Sequence, residues 1–425
     1  MRHRRRRVYY GWYVLAAVAG INFANNATAI GVLTVFILPL SQEFGWTRMQ
    51  LSAATSIGAV LGALAAPFTG RLTDQLGARI PLTLGGVCIV VAMLNLAAMQ
   101  SLGWFYLAFG LARLADQGFV QATSPPAIAQ WFQRYRGRAM AALFFATSAG
   151  GVVLPPLVQQ VISVWHWRIA WVVLGGVMLC LGLLPCAFLV RRQPEDPGLS
   201  VDGEAPEAAL SQAAMSASGG QTLLGDGDGA WRLGEALKSQ ALWLLLAAVF
   251  VGGVAGTGVA LHLMPHLLQQ GIAPAAAVAA VSISFIVSAI GCFGWGYLAD
   301  RLSVRPLLVM TFILRAASLA VLLAADTLSE AYAFATLQGL AEGGQSTLMP
   351  VVVAQYYGRS HLGSIYGLLR SMQVAGFALG PLIAGRAFDL ARSYDGAFVA
   401  FLLLSVGGAG LVGLARRPLR VHPGR

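Results

Sequence analysis

Apolar stretches about twenty residues long recur from Val8 to Leu414, separated by short polar breaks, and this one pattern leaves few folds open. A helix needs roughly 20 apolar residues to cross the hydrocarbon core of a bilayer. The stretches read as spans at 10–40, 49–70, 79–99, 103–131, 137–163 and 168–190, then 240–268, 274–298, 305–325, 329–356, 363–388 and 396–415. Only 11% of the 425 residues are charged, whereas soluble domains carry roughly 25%. Lipid is therefore the expected solvent, and in lipid a spanning helix satisfies its own backbone. The pattern predicts an all-α membrane protein of twelve transmembrane helices in two six-helix bundles, residues 1–190 and 239–425.

Residues 191–238 are the one long polar stretch. They are rich in Gly, Ser, Ala and acids, as in Gly225–Asp226–Gly227–Asp228–Gly229. Such a composition reads as a flexible linker and holds too little apolar residue to bury a third domain. The net charge of +11 does not indicate nucleic acid, because the basic residues fall in short clusters between apolar runs. Assigned to sides of the twelve-span arrangement, 21 Arg and Lys residues fall on the side of the termini and linker and 4 on the other, with Arg113, Arg315 and Arg370 inside spans. Cytoplasmic loops are enriched in these residues, so both termini and the linker are expected in the cytoplasm. The Arg run before Val8 precedes a segment long enough to span, unlike a cleaved signal peptide. The four cysteines lie inside apolar runs and read as packing residues. No metal-ligand spacing and no nucleophilic triad stands out, so neither cofactor nor metal nor enzyme activity is expected.

The two halves repeat. Gly70, Asp74 and Arg79 follow the second span, and Gly296, Asp300 and Arg305 follow the eighth, each at an offset of 226. Ala129–Gln130–Trp131–Phe132 and Ala354–Gln355–Tyr356–Tyr357 lie 225 apart, as do Pro156 and Pro381. A six-span unit repeated in one orientation is a parallel repeat, two copies of which enclose a midplane cavity.

At these residues the chain resembles the major facilitator superfamily. The loop from Gly70 to Arg79 is similar to that family's signature loop between its second and third helices, and the stretch from Gly296 to Arg305 to its second-half copy, with Ser303 where Gly is usual. Tyr9–Tyr10–Gly11–Trp12–Tyr13, Glu43–Phe44–Gly45–Trp46–Thr47, Arg192 to Leu199, His262 to Leu267 and Gly363–Ser364–Ile365–Tyr366–Gly367 resemble its bacterial monocarboxylate-transporter-like and oxalate–formate-antiporter-like branch. The resemblance covers nearly the whole chain except 200–230. It implies a monomeric carrier of the bacterial inner membrane, moving a small carboxylate by proton symport or anion exchange. One departure bears on mechanism: the acid and Arg four apart on the eighth helix of mammalian relatives, and their first-helix Lys, are missing here, since Ser288 to Cys292 is neutral.

Charges inside spans are expensive and mark function or ion pairs. Arg370, on the eleventh span between Gly367 and Gly376, is a candidate for bidentate carboxylate binding; the resemblance agrees, an Arg on that helix being an anion-binding feature of the oxalate–formate type. A snorkelling or helix-pairing arginine is the alternative. Asp116 and Glu342 occupy equivalent places, 226 apart, and Arg113 lies on the same face as Asp116. Either these acids titrate as proton sites or Arg113 and Asp116 form a structural ion pair. Arg315 sits on a helix expected at the periphery and reads as structural. Asn22 and Asn26, four apart among the polar residues Asn25 and Thr28 that interrupt the first span, either line the cavity or bond neighbouring helices. His262, with His266 one turn on, is a further candidate near the outer end of the seventh span. Gly70, Asp74, Arg79, Gly296, Asp300 and Arg305 are expected to hold the inner gate.

Two other functions fit less of the sequence: an efflux pump for amphipathic compounds on the same fold, and a transporter-like membrane sensor. The linker is too short to house a signalling domain. Reporter fusions at Gly220 and Arg425 test the orientation: both should report a cytoplasmic position, and an external signal from either overturns it.

Overall fold

In a computed structural model, the described residues are 9–194, 201–203, 231–359 and 361–418. Most of the expected linker, and the Arg run before Val8, lie outside them. Twelve long helices follow one another: α1 (Gly11–Phe44), α2 (Arg48–Leu76), α3 (Arg79–Ala98), α4 (102–131), α5 (Arg136–Val164), α6 (Trp167–Leu189), α7 (Gln240–Gln269), α8 (Pro274–Ala299), α9 (Val304–Leu323), α10 (Leu328–Tyr357), α11 (Leu362–Ala391) and α12 (Asp395–Leu414). Ten are long and apolar enough to cross a membrane. The other two, α4 and α10, carry in-span charges but are walled by neighbouring helices, with most side chains from Ala115 to Phe132 and from Thr347 to Ala354 buried. Among the described residues no strand occurs.

Three helices depart from regular α geometry. The polar run Asn25–Thr28 forms a 3₁₀ turn and Ala29 is extended (φ −68°, ψ 153°), which divides α1 into Gly11–Ala24 and Ile30–Phe44. Asn and Thr compete for backbone hydrogen bonds and are poor helix formers. One turn of π-helix interrupts α4 at Ala115–Val120 and another α6 at Met178–Leu183. Such turns carry one extra residue and often sit at functional sites. Elsewhere helix starts follow sequence rules: Thr47 with Gln50, and Thr327 with Glu330, form capping boxes at α2 and α10.

Helices α1–α6 pack on one another, as do α7–α12, and the two sets meet along α2 with α11 and α5 with α8. Small residues make the meeting close. A Cβ at Gly70 would run into the backbone of Gly363, and one at Gly296 into that of Gly137. Each contact is capped by an acid from the opposite half. Asp74 accepts from the N–H groups of Gly363 and Ser364 at 2.8 Å each and from the Ser364 hydroxyl at 2.5 Å. Asp300 accepts from Gly137 N–H at 2.7 Å and pairs with Arg138 at 3.2 Å. Each carboxylate thus sits on the N-terminus of a helix of the other bundle, where the helix dipole favours negative charge. Arg79 and Arg305 do not join these caps: Arg79 is exposed, and Arg305 lies against the Tyr356 hydroxyl.

Replacing Asp74 by Asn keeps one acceptor and removes the charge, at a cost of about 1–2 kcal/mol to the closed contact. Spin labels on the Asp74 ends of α2 and α11 should then show a longer-distance population grown roughly tenfold. An unchanged distance distribution in folded Asp74→Asn would show that the cap does not hold this end shut.

Candidate functional site

The centre of the molecule is built around Asp116. The π-turn in α4 places Asp116 and Gln117 side by side against the break in α1. Asp116 Oδ1 accepts from Asn25 Nδ2 at 2.5 Å. Its Oδ2 accepts from the Thr28 hydroxyl at 3.1 Å, Arg113 Nη1 at 2.7 Å and Gln117 Nε2 at 2.7 Å. Arg113 also reaches the Thr28 carbonyl at 3.5 Å, a group the break leaves unpaired within its helix. The carboxylate is 3% exposed, so four donors and one full positive charge replace the water it loses.

Glu342 occupies the equivalent place in α10 but a different setting. Its one described donor is Arg315, which comes from α9 and is 2% exposed; Arg315 Nη1 also donates to the Gly252 carbonyl of α7 at 2.8 Å. Arg315 thus points into the bundle and finds its acid on the neighbouring helix. The Glu342 side chain is 50% exposed beside Gly256 of α7. Asp116 is a closed ion pair and Glu342 an open one.

Arg370 has no carboxylate partner among the described residues. Its Nη1 donates to Gln373 Oε1, three residues along α11, at 2.6 Å. Its Nη2 donates to Gln117 Oε1 on α4, across the boundary between the halves. The guanidinium carbon lies 5.7 Å from the Phe377 ring centre. Arg113, Asp116, Gln117, Arg370 and Gln373 therefore form one hydrogen-bonded chain through the middle of the molecule. Gln117 and Gln373 carry no charge and escape a reading that follows charges alone; the i, i+3 spacing of Arg370 and Gln373 was the available signal. One residue on, Ser371 donates to the Ala63 carbonyl of α2 at 2.6 Å. The described hydrogen bonds between the halves run from the Asp74 end to this level and no farther along α11.

The other candidates lie elsewhere. Asn22 is buried and donates to Val18 O and to Ser124 Oγ of α4, at 2.8 and 2.7 Å. Asn26 donates to the Thr147 carbonyl of α5 at 2.8 Å. Both amides thus bond helices within the first bundle. His262 Nε2 lies 3.1 Å from the Pro381 carbonyl, with its ring 5.1 Å from that of Tyr394, inside the second bundle. The 225–226 offset, the in-span charges and the interlocked glycine contacts describe one architecture, and comparison with known proteins finds the same one. The family model described as "Major Facilitator Superfamily" matches residues 15–295 and 255–424. Monocarboxylate transporter 12 of Rattus norvegicus is 23% identical, over 96% of this chain and 85% of its own length. The uncharacterized MFS-type transporter YcxA of Bacillus subtilis (strain 168) is 26% identical, over 95% and 94%. The fold also matches the human organic anion transporter MFSD10 (TM-score 0.71, 18% identity, 95% of this chain and 99% of that one) and FucP in its outward conformation (TM-score 0.72, 13%, 96% and 100%). This chain, a multi-pass membrane transporter and not an enzyme, belongs to the major facilitator superfamily.

Proposed function

We propose that the protein is a secondary carrier for a small organic anion, a mono- or dicarboxylate, with Arg370 as its anion-binding group. The observation that carries the reading is a part-buried guanidinium on a membrane-spanning helix whose two Nη groups are held only by neutral amide oxygens. Among the described residues its Nε has no partner and no carboxylate pairs with its charge, so the group calls for a counter-charge. A substrate carboxylate supplies one, and the planar fork of Arg fits it bidentately. The names of similar proteins, monocarboxylate transporters and an organic anion transporter, point the same way.

In this reading the Gln117 oxygen stands where a substrate oxygen would sit. A carboxylate arriving at Arg370 displaces it and so breaks the tie between α4 and α11. The displaced amide still donates to Asp116, so the first bundle keeps its closed ion pair while its hold on the second is released. The bundles of 1–190 and 239–425 then rock as units. With the basic side inside, the closed Asp74 end is cytoplasmic and the conformation faces outward. For proton coupling Glu342 is the more accessible acid: one described donor holds it and its side chain is half-exposed, whereas Asp116 is buried among four donors. Exchange of one carboxylate for another at Arg370 needs no such acid. An efflux pump for amphipathic cations is disfavoured by the uncompensated positive charge.

Two variants test the reading by calorimetric titration of carboxylates into purified protein. Arg370→Gln should lose about 3 kcal/mol of binding, roughly 100-fold, with Arg370→Lys intermediate. Normal affinity in folded Arg370→Gln removes Arg370 from the site. Gln117→Glu places a fixed anion on Arg370. Carboxylate affinity should drop about tenfold at neutral pH, a change of roughly 1.4 kcal/mol, and recover towards wild type as acid neutralises the new side chain. An affinity equal to wild type throughout would show that Gln117 does not compete with substrate.

A further inference from the structure

A second cationic site lies away from the transport path, where α3 begins and α6 ends. Leu76, Arg79, Ile80, Phe188, Arg191 and Arg192 enclose a hollow of about 570 Å³. Three of these six residues are arginines, and none of the described lining is acidic. No carboxylate among the described residues pairs with these three arginines, and the acid nearest Arg79 in sequence, Asp74, has its carboxylate committed to α11. Two of the heads are held in place. Arg192 lies across Gly77 and Nη2 donates to the Asp74 carbonyl at 3.4 Å; Arg191 sits 5.1 Å from the Tyr10 ring centre. The rest of the wall is apolar and open outward: Phe188 is 74% exposed, Leu76 48% and Ile80 46%.

The position joins these features. Arg79 opens a membrane span and Leu189 closes another, so the arginines stand at headgroup depth while Ile80 and Phe188 extend into the acyl region. Clustered guanidiniums beside an exposed apolar wall match a ligand whose anionic head is fixed to hydrocarbon tails. We propose that this hollow binds the phosphate of an anionic phospholipid, with an acyl chain along Ile80 and Phe188. A soluble phosphate would satisfy the arginines and leave the apolar wall unused.

Native mass spectrometry of the purified full-length protein, offered equal amounts of phosphatidylglycerol and phosphatidylcholine with identical chains, tests this directly. Phosphatidylglycerol should be retained at least tenfold better. Arg79→Gln/Arg191→Gln should abolish that preference, whereas Arg416→Gln/Arg417→Gln, which removes the same charge elsewhere on this face, should keep it. Phe188→Ser, a change on an exposed apolar surface, should weaken retention severalfold and serves if the double variant fails to fold. Equal retention of the two lipids, the same loss in both double variants, or displacement of the lipid by millimolar inorganic phosphate overturns the proposal.

Discussion

A charge inside hydrocarbon has to be answered by the protein itself, and this requirement arranges the centre of the molecule. Asp116 could not stand on a regular α4 packed against a regular α1. The break at Asn25–Ala29 supplies Asn25 and Thr28 as donors and frees a carbonyl for Arg113. The π-turn carries Asp116 and brings Gln117 within reach of it. Both irregularities cost helical hydrogen bonds, and both are offset where they meet, by four donors converging on one carboxylate. Local geometry here follows from electrostatics rather than from propensity alone.

The same physics, applied at the surface of each bundle, joins the halves. Asp74 and Asp300 each cap a helix belonging to the other bundle, and glycines on both sides let the backbones approach. A cap of this kind is a charge–dipole contact in a partly screened position, worth far less than the burial of a helix face. It can therefore close an end of the molecule without locking it, as a reversible contact between two rigid bodies requires. The deeper tie, Gln117 to Arg370, is neutral on one side, which is the property that the proposed displacement by a carboxylate relies on.

The sequence made much of this legible, for identifiable reasons. Spans follow from apolar length, and the reading of 79–99 for Arg79–Ala98 differs from the structure by one residue. The Asp of each loop was expected at the inner gate; that it caps a helix of the opposite half, 289 residues from Asp74 to Gly363, is a tertiary fact with no local signature. Arg315 sits on a helix expected at the periphery, and its acid could not be read locally because it lies on the next helix, 27 residues on. Asn22 and Asn26 carried a polar signal that did not distinguish a cavity wall from an interhelical bond, since either satisfies an amide in lipid. Gln117 and Gln373 were silent, being uncharged.

The internal repeat separates scaffold from chemistry. Each half has an arginine, part-buried in the first and buried in the second, donating to a carbonyl of its own first helix, Thr28 for Arg113 and Gly252 for Arg315, and each arginine holds an acid at equivalent positions, 116 and 342. The cations, however, come from non-equivalent places: Arg113 maps onto Gly339, and Arg315 onto Ile89. Each half thus pairs the acid at this position with an arginine drawn from a different place. Arg370 behaves otherwise. At either offset its twin is an aromatic residue, Phe144 or Phe145, and Phe145 packs against Phe293 at 5.0 Å. Arg370, a cation present in one copy and paired with no acid among the described residues, therefore sets the two halves apart in chemistry at the site proposed for the substrate.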